Sequence, residues 1–152
     1  MLSRPTTEQI LLDCCRELMT EVLPALTDET AQVRVVMIET VLRNMAVRAA
    51  HEVAWMTEET MEIERYATTV QTAHPDVALD AALAALGSAP RGSLHLDDVV
   101  ETYCRAGDAL SAALESVVAS GDANLVGEGE QLLRARCDRE TEVMAGWSPT
   151  GR

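Results

Sequence analysis

Apolar residues recur at three- and four-residue spacing along nearly the whole chain, and nowhere do they alternate with polar ones for long enough to suggest a strand. Thr6-x-x-Gln9 is a capping-box pattern that opens a first helix after Pro5. Leu11, Cys14 or Cys15, Leu18 and Val22 give that helix one apolar face, and Pro24 is expected to stop it near Leu23. Thr27 is the expected cap of a second helix, with Asp28 and Glu29 favouring its positive end. From there to about Thr72 no Gly or Pro intervenes. One helix of that length would run roughly 65 Å, so a break or bend is expected near Thr57, where Thr57-Glu58-Glu59 resembles a start signal.

The later elements are better punctuated. Pro75 suits a first helical residue, and Gly87 closes a short Ala-rich helix. Ser88 to Ser93, with Pro90 and Gly92, reads as the main loop. Asp98-x-x-Glu101 opens a helix that ends before Gly121-Asp122, and a last helix spans about Ala123 to Ala145. The pattern predicts an all-α chain: a single-domain, up-and-down helical bundle of five or six helices over residues 1–146, with a flexible tail at 147–152. The chain of 152 residues is long enough to bury an ordinary core without staples.

Composition narrows the chemistry. There is no Phe, and Trp55, Trp147, Tyr66 and Tyr103 are the only aromatics, so the core must be aliphatic. All 12 basic residues are Arg, which removes any lysine Schiff base or P-loop lysine. The net charge of −13 opposes both nucleic acid and anionic membrane surfaces. The N-terminus does not read as a signal peptide, and no apolar run is long enough to span a bilayer. Cys14, Cys15, Cys104 and Cys137 form no Cys-x-x-Cys and are expected to be reduced and mostly in the core, as in the cytoplasm.

Candidate chemistry is thin. His51 and Glu52 begin like a zincin helix, but Trp55 stands where the second His must be, which excludes zinc by this route and leaves only a scattered site from His51 and distant carboxylates; no metal or other cofactor is expected. Glu58 and Glu62 share a helical face, and either could join His51 and Glu52 as an acid–base or metal-holding set. The same acidic run also reads as a solvated face. Arg34 and Arg48 sit among apolar residues, where an arginine can grip a carboxylate or phosphate or bridge to another helix. No nucleophile elbow or dinucleotide fingerprint is present.

The opening Arg4-Pro5-Thr6, then Leu11-Leu12, Glu21-Val22-Leu23-Pro24-Ala25-Leu26 and Arg34-Val35, resembles a family of short, uncharacterised bacterial helical proteins. These are often encoded beside aminoglycoside-phosphotransferase-like and acyl-CoA-dehydrogenase-like proteins. The resemblance covers about the first 35 residues. Ala31-Gln32 replaces that family's aromatic-His pair, and Gly146-Trp147-Ser148-Pro149 replaces its Asn-Pro ending. The resemblance implies an accessory protein and transfers no catalytic residue.

The expectation that follows is a non-catalytic interaction protein, either a homodimer or the small partner of a larger enzyme. The alternative is a small acidic enzyme or a ligand- or metal-binding protein using His51 and nearby carboxylates. The second helix prompts the first reading, because Val33, Val35, Val36, Met37, Ile38, Val41, Leu42 and Met45 leave few faces polar.

Overall fold

A computed structural model describes residues 4–144, and the expected tail at 147–152 lies outside them. The protein is all-α, and no strand occurs among the described residues. The elements are α1 (Thr7–Glu17), a π-helical turn (Leu18–Val22), α2 (Leu23–Ala25), α3 (Glu29–Ala73), α4 (Val77–Gly87), α5 (Leu96–Ser120) and α6 (Ala123–Met144). With α1, the π turn and α2 counted as one interrupted helix, five helices are described. None of them is long and apolar enough to cross a membrane.

The helix starts follow side-chain capping chemistry. The capping box forms as read: Thr6 Oγ1 accepts from Gln9 N at 3.2 Å, and Gln9 Oε1 accepts from Thr6 N at 2.9 Å. Pro24 does not stop the helix at Leu23. The Leu23 N–H bonds back to the Leu18 carbonyl, so the π turn takes up the distortion ahead of the proline and the helix continues to Ala25. The second start is capped by Asp28 rather than Thr27, since Asp28 Oδ2 accepts from Ala31 N at 2.9 Å. Asp76 replaces Pro75 as the start of α4, accepting from Ala78 N at 2.8 Å and Leu79 N at 3.0 Å. Helix α5 begins two residues before Asp98, at Leu96. Gly121 ends α5 in the left-handed region at φ 74°, which glycine enters without penalty.

The expected break at Thr57 is absent, because α3 is one helix of 45 residues. Thr57 does not cap anything. Its Oγ1 donates to the Val53 carbonyl one turn back at 2.7 Å, the usual role of a threonine inside a helix.

The chain forms two compact units, and α3 contributes to both. The first comprises residues up to Glu52 together with those from Arg139 onward; the second is Val53–Asp138. In the first unit the fully buried apolar side chains are few: Cys15 and Ala46. The Cys15 thiol donates to the Glu39 carbonyl at 3.5 Å, which ties α1 to α3. Cys14, Cys104 and Cys137 are exposed, so the cysteines are not mostly core, and none of the four forms a disulfide. On α1, residue 15 falls on the face turned to α3 and its neighbour Cys14 falls off it.

The second unit holds the main core. Ile63, Tyr66, Ala67 and Val70 of α3 pack with Leu79 and Leu86 of α4, with Ala106, Ala109, Leu110, Ala113 and Val117 of α5, and with Leu125 of α6. The alanines of α5 let neighbouring backbones come close. At Gly129 of α6, a Cβ would stand 2.5 Å from Leu114 Cδ2 and 2.6 Å from the Tyr66 hydroxyl, so any larger residue must displace those two side chains.

Candidate functional site

The most distinctive surface feature lies in the first unit, on the early part of α3. One side of this helix is covered: Glu39 and Ala46 are buried, and Val35, Val36 and Leu42 are partly so. The other side is open. Val33 is 60% exposed, Met37 63%, Ile38 51%, Val41 57% and Met45 41%. Val33, Met37, Val41 and Met45 follow one another at intervals of four, so they form a single ridge. Lone exposed apolar side chains are ordinary, whereas a continuous row marks a surface that meets something.

The charged groups around the row are distinct in their pairing. Arg43 donates through Nε to Glu39 at 2.8 Å, and Arg48 pairs with Glu52 one turn on. Arg34 is exposed and forms no ion pair with another described residue. Burial raises the Cys15 thiol pKa above its ordinary value, and the nearby Glu39 carboxylate adds to this; Cys15 is a packed thiol, not a nucleophile.

In the second unit a cleft of about 220 Å³ is lined by Thr60, Met61, Leu86, Pro90, Val99 and Thr102, among others. It is smaller than ordinary small-molecule sites, which start near ~300 Å³. The hydroxyls of Thr102 and Ser93 are engaged within the loop and the start of α5. Thr102 Oγ1 lies 2.8 Å from the Asp98 carbonyl and 3.1 Å from that of Pro90, and Ser93 Oγ donates to Asp98 Oδ2 at 2.6 Å. The charged residues on its wall, Glu64 and Arg91, pair with each other at 2.7 Å. The cleft therefore presents an apolar wall and a neutralised charge pair.

The acidic, His-containing candidates are divided between the two units. His51 and Glu52 belong to the first unit, Glu58 and Glu62 to the second. His51 is exposed beside Ala49, Ala50 and residues 4–8. Glu52 is engaged by Arg48, so both of these candidates sit in one intrahelical pair. Glu58 is exposed; Glu62 lines an open groove with Arg65, Tyr66 and Glu128. No cluster of three or more potential metal ligands occurs among the described residues.

The sequence reading missed a buried polar cluster in the second unit. Glu59 is only 5% exposed, and its Oε1 lies 2.8 Å from Arg136 Nε. Arg136 also donates to the Tyr103 hydroxyl, at 3.1 Å through Nε and 2.7 Å through Nη2. Burial works against the Arg136 charge, but the Tyr103 hydrogen bond and the Glu59 charge outweigh it, so its pKa is raised. Burial pushes the Tyr103 phenol up as well, partly opposed by the Arg136 hydrogen bond. The signal for Glu59 was available: it stands four residues before Ile63 and seven before Tyr66, on the apolar face. These groups satisfy one another and link α3, α5 and α6, which is a structural task.

No protein-family model matches the chain, and neither a curated protein nor a solved structure matches it.

Proposed function

We propose that this chain is a non-catalytic helical interaction protein that self-associates through the early part of α3. The observation that carries the reading is the open apolar ridge of Val33, Met37, Val41 and Met45, with Ile38 beside it. Removing a large aliphatic side chain from water is worth about 1.5–3 kcal/mol, so a ridge of this length is a substantial driving force. Methionine adds adaptable contact, and a two-fold dimer is the commonest way for one patch to cover itself. The reading places the protein in the cytoplasm, where its exposed thiols stay reduced.

The experiment is light scattering coupled to size-exclusion chromatography at micromolar concentration. The expected result is a dimer, and a monomer for the double substitution Met37→Glu with Val41→Glu, with far-ultraviolet circular dichroism unchanged. A wild-type monomer at every concentration overturns self-association. Capture of a larger enzyme by the wild type, lost in the double variant, would then reassign the ridge to a different partner.

A further inference from the structure

We infer that the two copies pair antiparallel, crossing at residue 43 of α3, with Arg34 of each copy opposite Glu52 of the partner subunit. This rests on the self-association just proposed and specifies its geometry. The argument begins with helix periodicity. At about 100° per residue, Arg34, Val41, Met45 and Glu52 all fall within a sector about 40° wide, on the side that carries the open ridge. They are arranged symmetrically. Residue 43 is midway between Val41 and Met45 and also midway between Arg34 and Glu52. Reversing the helix about that point puts valine on methionine at the centre and arginine on glutamate at both ends.

The same face in parallel register opposes Arg34 to Arg34, Arg48 to Arg48 and Glu52 to Glu52. Like charges placed face to face select against an arrangement, as flanking charges do in coiled coils. Both orientations bring the same charges together, and only the antiparallel one sets unlike charges opposite each other at Arg34 and Glu52. Arg34 is the charge on this face that forms no ion pair with another described residue. Glu52 already holds Arg48, and an incoming Arg34 would make it the acceptor of two guanidinium groups. Isologous contact of this kind closes at two copies.

Charge exchange tests the pairing. Arg34→Glu alone and Glu52→Arg alone should each weaken the dimer at least ten-fold in sedimentation equilibrium, and the double exchange should restore it to within about three-fold. In the parallel arrangement the single exchanges leave affinity unchanged. A second readout is independent of charge. In a variant with the exposed Cys14, Cys104 and Cys137 changed to Ser, a spin label at Glu29→Cys should report copies roughly 40 Å apart, from a rise of 1.5 Å per residue. Parallel pairing would bring the labels to about 10 Å, the ordinary interhelical spacing. A dimer with harmless single exchanges or a short label distance overturns the pairing and leaves self-association standing. A monomer overturns both.

Discussion

Two stretches of α3 have similar apolar content and opposite surroundings. Between Ile63 and Val70, in the second unit, the apolar residues Ile63, Tyr66, Ala67 and Val70 are fully covered by α4, α5 and α6. Between Val33 and Met45, in the first unit, apolar residues occupy more of the helix surface, yet five large ones stand open. The difference lies in the neighbours. Three helices pack on the later stretch, whereas the first unit has α1, its short continuation and the residues from Arg139 onward. A helix that is apolar nearly all round needs cover on every side, and the first unit supplies cover on one. The comparison therefore separates apolar residues that hold the fold from apolar residues available for a partner.

Truncation should break the two stretches unequally. Ile63→Ala is expected to cost about 2–5 kcal/mol, because Ile63 is fully buried and the site collapses only partly around the cavity. Val41→Ala, an equally apolar change on the same helix, should stay within about 0.5 kcal/mol in the monomer. Urea unfolding under conditions that keep the chain monomeric measures both. Similar losses at the two positions would mean that Val41 is covered within its own chain, and the proposed interaction surface would fall with the comparison.

The second unit also depends on a buried polar cluster that joins three of its helices, whereas the buried Glu39 of the first unit pairs with Arg43 within α3. Replacing Arg136 with Met keeps most of its volume but withdraws the guanidinium from the Glu59 carboxylate, which remains buried. Full removal of one partner of a buried pair costs about 3–5 kcal/mol; Arg136 is one-third exposed, so about 2 kcal/mol is expected. Adding Glu59→Leu should recover most of that loss, since an apolar pair has no charge to strand. If the double variant is no more stable than Arg136→Met, the cluster is not held together by charge.

Much of this architecture was legible beforehand, and the exceptions have identifiable causes. Helical periodicity gave the all-α class, and the Thr6 capping box and Gly121 terminus appear where local chemistry puts them. The wrong boundaries each involve a competing local group. Asp28 and Asp76 accept backbone bonds better than the neighbouring Thr27 and Pro75, and the π turn accommodates Pro24. The Thr57 start signal failed because a hydroxyl can serve the preceding turn as readily as it caps a new one. Glu59 was hidden inside an acidic run that looks uniformly solvated, although only its phase relative to Ile63 matters. Which apolar face of α3 stays open could not be read at all, because that depends on which helices pack against it.

Glycines sharpen the contrast between close packing and open surface within α6 and α5. Gly129→Ala gains helix propensity of up to about 1 kcal/mol but drives a methyl into Leu114 and the Tyr66 hydroxyl. The net expectation is a loss of about 1–2 kcal/mol, within the range for overpacking. Tyr66→Phe in the same chain should make the added methyl less costly, because the hydroxyl that it meets is gone. Gly107→Ala on α5 meets nothing within 4 Å and should stabilise by up to about 1 kcal/mol. Thermal unfolding of these three variants, with Tyr66→Phe alone as the reference for the double change, orders them, and a stabilising Gly129→Ala would contradict the close approach.

The smallest expected effect is at the turn between α5 and α6. Asp122 caps α6 by accepting from Leu125 N at 3.2 Å and Asn124 N at 3.0 Å, and its other oxygen lies 3.3 Å from His74 Nε2. The Leu125 hydrogen bond, then the His74 ring, holds its carboxyl below the usual value. The folded state therefore releases the proton more readily than the unfolded chain, which holds it up to about pH 3.9. Stability from this group is complete above that pH and is lost as pH falls through the lower folded value. Asp122→Asn keeps a capping oxygen but does not titrate. The stability difference between wild type and Asp122→Asn should thus be largest near neutrality and shrink below about pH 4. Urea midpoints for the two proteins between neutral and acid pH measure it, and a difference that stays constant across that window would show that the cap does not depend on charge.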